Sequence, residues 1–193
     1  MKSDRARSAD LPRALHSPHV RIVGVVDYPL VADFLRQMDN LPGDVPEIAI
    51  SVTTPGGDAD LARRLGQAVK DARDRLGARL LFLGVSQVHS AGVNFMAAFP
   101  KEDRYLTRDA ILLIHGRRLE RTIELSGPVR GTLAHLRSLT SQVELGIALE
   151  EEGFKELIQG SDIDFEEIVH HSRFNWYLRA EEALKRGLVS GLL

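Results

Sequence analysis

Short apolar runs alternate with stretches of helical spacing through the first half of the chain, and this limits the architecture more than any other feature. Val20 to Val26, Ile48 to Val52 and Arg79 to Gly84 read as strands. Between them, Pro29 to Leu41 carries Leu30, Val31, Phe34, Leu35 and Met38 at helical spacing, and Ala59 to Leu76 places Leu61, Leu65, Ala68 and Val69 on one face. Strand and helix repeated in this way predict an α/β fold, a parallel sheet covered by helices. Arg104 to Thr107 and Ala110 to Ile114 read as two further short strands, and Arg117 to Leu125 as an extra one. Pro128 to Gln159 forms the longest helical pattern, with Leu133, Leu136, Leu139, Val143, Ile147 and Phe154 as its apolar positions. A break near Gly146 or Gly153 would divide it into two helices.

Residues 1–19 are polar and carry Pro12 and Pro18, so an N-terminal arm is expected there, followed by a single domain over residues 20–193. A chain of 193 residues can bury a sizeable core. Its 25 Lys and Arg stand against 27 Asp and Glu, which leaves no electrostatic case for binding nucleic acid or an anionic membrane. The absence of cysteine excludes disulfides, thiolate metal sites and a cysteine nucleophile, and agrees with a reducing cytoplasm. No apolar run approaches the roughly 20 residues of a membrane span, and the first residues lack the apolar core of a signal peptide.

Three segments place chemistry-bearing residues at strand ends. In Gly84 to Phe99, Ser90 lies where a helical pattern begins. A serine there is an ordinary N-cap, satisfying an orphan N–H, or a nucleophile at the positive end of the helix dipole. Pro55-Gly56-Gly57 follows the second strand, and such glycines let backbone amides face an anion. Ile111 to Ile114 ends in His115 and Gly116.

These segments resemble the proteolytic subunit of the Clp protease, ClpP, and its relatives of the ClpP/crotonase fold. In that family a Pro-Gly-Gly turn supplies the oxyanion hole, a Ser-x-Gly helix start the nucleophile, and an apolar strand ending Ile-His the base. Pro55-Gly56-Gly57, Ser90-Ala91-Gly92 and Ile114-His115 match them in order. Arg104-Tyr105 through His115 and Tyr177 to Val189 are also similar to family segments, so the resemblance runs from about Val20 to Leu193. It implies a serine endopeptidase acting on peptides or unfolded proteins. Ser90 would be the nucleophile, His115 the base, and the amides of Gly57 and Ala91 the oxyanion donors. It implies no cofactor. The helix over residues 128–159 would be the handle between stacked rings of a homo-oligomer, and an AAA+ unfoldase a possible partner.

The acid departs from the family pattern. The resemblance places the catalytic aspartate at His171, and a neutral histidine brings no negative charge to stabilise an imidazolium. Loss of a triad acid costs about 10⁴ in rate. Three readings stand open: Asn175 orients His115; a carboxylate from Asp162, Asp164, Glu166 or Glu167 reaches it; or the site is a weak dyad, inert until assembly rearranges it.

His89 is expected to be a half-exposed turn residue, and His16, His19 and His135 surface histidines. His115, His170 and His171 lack the carboxylate or thiolate spacing that would argue for zinc, so no metal is expected. Two other functions compete with a peptidase. One is a structural, catalytically impaired ring subunit, favoured by the missing aspartate. The other is a crotonase-type acyl-CoA enzyme, which shares the oxyanion logic but not a Ser-His pair.

Overall fold

The computed structural model describes residues 11–43, 45–119, 122–124 and 126–193. Strands β1 (Val20–Val23), β2 (Glu47–Thr54), β3 (Arg79–His89), β4 (Arg104–Leu106) and β7 (Gly191–Leu192) form a parallel sheet in the order β1-β2-β3-β4-β7. Strand β5 (Ile111–Ile114) lies parallel to β3, and β6 (Trp176–Arg179) antiparallel to β5. Helices α1 (Tyr28–Asp39) and α2 (Ala59–Leu76) provide the crossovers, with α3 (Ala91–Ala97), α4 (Val129–Ile158), α5 (Phe165–Ser172) and α6 (Ala180–Lys185) following. The chain is therefore the α/β fold that its alternation predicts.

Local chemistry sets the helix ends. Asp27 caps α1 by accepting from the Leu30 amide at 2.9 Å. Asp58 caps α2 by accepting from Asp60 and Leu61 at 2.8 and 3.0 Å. Gly77, in the left-handed region at φ 62°, ends α2.

Strand β3 is longer than its apolar run suggests. The sequence expectation ends it at Gly84, but it continues to His89 because its neighbour changes. Phe82–Gly84 pair with β4, whereas Gln87–His89 pair with β5. Ser86 makes the bend between them at φ 57°, its amide donating to Thr107 Oγ1 at 3.3 Å and its hydroxyl to Asp109 at 2.8 Å.

Both faces of the sheet are covered. Ile48, Ile50, Leu80 and Phe82 face α1, α2 and α3, where Phe34, Phe82, Phe95 and Phe99 meet edge-on with centroids 5.4 to 6.0 Å apart. Burying each such ring contributes roughly 1.5–3 kcal/mol. Ala49, Leu81, Leu83 and Tyr105 face the other way and enclose Leu15. Of the arm expected over residues 1–19, residues 1–10 lie outside the described ones. Residues 13–16 instead form a short 3-10 helix that buries Leu15 on the sheet.

One further expectation needs correction, and one alternative falls away. No strand forms among the described residues of the segment from Arg117 to Leu125; Glu120, Arg121 and Leu125 lie outside them. Helix α4 is one continuous helix of 30 residues, unbroken at Gly146 or Gly153, since a glycine costs a helix only about 1 kcal/mol. Its C-terminal end buries Phe154 and Leu157, while Val129, Leu133, Leu145 and Ile147 are exposed.

Candidate functional site

Ser90 occupies a strained turn between β3 and α3, at φ 53° and ψ −111°. Non-glycine residues rarely adopt positive φ, and holding one there costs on the order of 1–3 kcal/mol. Its amide donates to the Leu113 carbonyl at 2.8 Å, extending the β3–β5 ladder, and its carbonyl accepts from Val93 at 2.9 Å. The hydroxyl makes no capping hydrogen bond, so the ordinary N-cap role does not account for this serine. Helix α3 behind it is held by Phe95, Met96 and Ala97 in the core.

The Pro-Gly-Gly turn lies directly against Ser90. A Cβ on Gly56 would stand 2.9 Å from Ser90 Cβ and 3.2 Å from the His89 carbonyl, so no side chain fits there. Gly56 is also at φ 107°. Val26 donates its N–H to Gly56 and accepts from Asp58, each at 2.8 Å, which clamps the turn on both sides of Gly57. The amides of Gly57 and Ala91 donate to no group among the described residues.

His115 follows β5, two residues beyond the carbonyl that receives the Ser90 amide. Its Nδ1 lies 2.7 Å from the Gly116 carbonyl. A carbonyl can only accept, so Nδ1 carries the proton and Nε2 is the nitrogen left free to take one. No hydrogen bond joins Ser90 Oγ to the ring among the described residues. A cavity of about 440 Å³ opens beside His115, walled by α2, Asn94 of α3 and α4; Ser90 does not line it.

The candidates for a third member are near by chain but bonded elsewhere. The Gly116 amide donates to the Ser172 carbonyl at 3.2 Å, so the end of α5 does adjoin the histidine. His171 stacks on Trp176 at 4.5 Å and makes no bond to His115. Asn175 sits in the left-handed region at φ 58°, a conformation asparagine tolerates, and its side chain accepts from Arg118 at 3.3 Å. Asp162 and Glu167 bind Arg186 at 2.6 and 2.7 Å. Asp164 caps α5, and Glu166 is exposed. None of the six is bonded to His115. No group of three metal-ligating side chains is gathered among the described residues.

Two curated proteins are similar to this chain over most of its length. The chain is 25% identical over 182 residues to the ATP-dependent Clp protease proteolytic subunit 2 of Pseudomonas aeruginosa, covering 93% of this chain and 83% of that protein. It is 26% identical over 201 residues to the protein of the same description in Treponema pallidum, covering 99% and 89%. The chain is ClpP-like. No protein-family model matches it.

Within this ClpP-like frame the structure brings forward residues that sequence reasoning passed over. Glu150, on α4, accepts from the Arg117 amide. The Arg117 guanidinium pairs with Asp60 at 2.8 Å. Nothing in the sequence distinguishes Glu150 from the neighbouring Glu151 and Glu152; only the packing of α4 selects it. Arg104 is buried among carbonyls of Phe99, Leu157, Ala97 and Glu156, at 2.7 to 3.2 Å, tying the end of α3 to the end of α4. Burial pushes its guanidinium down to about 10, against Glu102 and Glu156, so it stays charged at neutral pH. His89 is the last residue of β3 rather than a turn residue. Its ring meets Tyr177 edge-on at 6.1 Å, and its Nε2 is buried without a partner among the described residues. Desolvation holds its pKa below the ordinary value of 6.5.

Proposed function

We propose that this chain is a ClpP-like serine peptidase in which Ser90 attacks a peptide carbonyl. His115 Nε2 accepts the hydroxyl proton and returns it to the leaving amine. The amides of Gly57 and Ala91 receive the developing oxyanion, where losing one such donor costs about 3–4 kcal/mol. The observation that carries this reading is the Pro-Gly-Gly turn lying against a strained Ser90 whose amide continues the ladder toward His115. Strain at a helix start with no capping bond is easier to account for in a nucleophile than in a cap.

A homo-oligomer is part of the same proposal. Val129, Leu133, Leu145 and Ile147 stay exposed on α4, a handle-like helix, and apolar residues repeated along one helix suit burial against further copies. A stable monomer in light scattering at micromolar concentration argues against it. The related proteins are described as ATP-dependent, and an ATP-driven unfoldase is proposed as a partner on that ground alone.

A catalytically silent ring subunit is the second reading, favoured by the absence of any carboxylate bonded to His115 among the described residues. A fluorophosphonate probe separates the two. Labelling of the wild type that disappears in Ser90→Ala supports the peptidase; an assembled protein that never labels supports the silent subunit.

A further inference from the structure

We infer that Glu150 is a positioning residue which supplies the triad's negative charge through a peptide group instead of by direct contact with the histidine. The Gly116 carbonyl that accepts from the His115 Nδ1–H and the Arg117 N–H that donates to Glu150 Oε2 belong to one peptide unit. Carboxylate, peptide and imidazole thus form a continuous hydrogen-bonded chain. A carboxylate on the N–H side of an amide draws electron density toward its oxygen, which makes that carbonyl a stronger acceptor. The effect is largest when the imidazole gains its proton, as it does when Ser90 attacks. No proton travels along the chain: it passes from Ser90 Oγ to Nε2, while Nδ1 keeps its own.

A separate observation points the same way. A Cβ on Gly116 would stand 3.1 Å from Glu150 Oε2, so a larger residue would displace the carboxylate by a few tenths of an ångström. Glycine at position 116 keeps the backbone open to it. The other charged groups lining the cavity are Asp60, Arg63, Arg64 and Lys70 of α2, Arg117, and Glu152 and Glu156 of α4. Arg117 pairs with Asp60, Arg63 approaches Glu152 at 4.0 Å, and Lys70 lies 3.4 Å from Glu156. Glu150 is thus the cavity's carboxylate bonded to the peptide that holds His115.

The inference rests on His115 being the base, and its test has a readout that does not. Glu150→Gln keeps an oxygen to accept the Arg117 N–H and removes only the charge. In the Ser90→Ala protein, labelled with ¹⁵N-histidine, the low-field Nδ1–H resonance of His115 moves upfield when Glu150→Gln is added. In the protein with Ser90 intact, Glu150→Gln lowers kcat by about tenfold to a hundredfold, less than the roughly 10⁴ lost with a directly bonded acid. KM stays within about twofold, because the interaction strengthens in the transition state and not on binding. A resonance unmoved by Glu150→Gln overturns the relay whatever the activity. A resonance that moves in a protein without peptidase activity supports the relay and counts against the peptidase reading instead.

Discussion

The Nδ1 of His115 is held by the carbonyl of Gly116 at 2.7 Å, at the point where a serine-peptidase triad has its acid. The orientation of the proposed base is therefore provided by backbone. The side chain at position 171 is free to stack on Trp176.

If His115 is the base proposed above, this arrangement makes His171 dispensable for turnover. His171→Ala is expected to leave kcat/KM within about threefold of wild type, against the factor of roughly 10⁴ expected of a triad acid. The lost stacking costs about 1 kcal/mol of stability. Steady-state kinetics on a fluorogenic peptide, with a melting curve alongside, check both. A fall of a hundredfold or more would mean that the ring reaches His115 during catalysis.

Gly56→Ala is expected to act on Ser90 directly. The new Cβ lands 2.9 Å from Ser90 Cβ, in a backbone conformation at φ 107° that alanine adopts only with strain. Displacing a nucleophile by about 1 Å costs on the order of a hundredfold in kcat/KM. Probe labelling rates on folded protein measure it, and labelling at the wild-type rate would show that the turn yields without moving the serine.

Arg104→Met should cost about 3 kcal/mol of stability. It fills similar space but leaves carbonyls from the ends of α3 and α4 without the charged donor they share. Urea unfolding reads the change. A loss under about 1 kcal/mol would show that the carbonyls find other donors when the helices shift.

Acid should weaken the fold through His89. Its pKa is lowered by burial, so between that value and the ordinary 6.5 the unfolded chain binds a proton that the folded one refuses. The stability linked to His89 is thus complete above about pH 6.5 and is lost as the pH falls through the folded value. The protonated ring would also bury an Nε2–H donor where no acceptor stands among the described residues. Melting temperatures from pH 7.5 to 5 should fall less steeply in His89→Gln than in wild type; equal slopes would exclude His89 as the cause.

Local order along the chain was legible in the sequence. The alternation of Ile48 to Val52, Ala59 to Leu76 and Arg79 to Gly84 determines a parallel sheet with crossover helices, because burial periods of two and of 3.6 residues are written in neighbouring side chains. The Pro-Gly-Gly turn and Ser90 were visible for the same reason, since strain and capping are local. What only the tertiary structure decided is everything that depends on which distant segments meet. Strand β3 runs past its apolar stretch because β5 arrives to pair with it, and Asn175 turns out to shape a left-handed turn. Three consecutive glutamates on α4 are indistinguishable as a sequence. The packing of that helix against the segment after β5 brings Glu150 alone of the three to the Arg117 amide, and a hydrogen bond between residues 33 positions apart leaves no periodic trace in the chain.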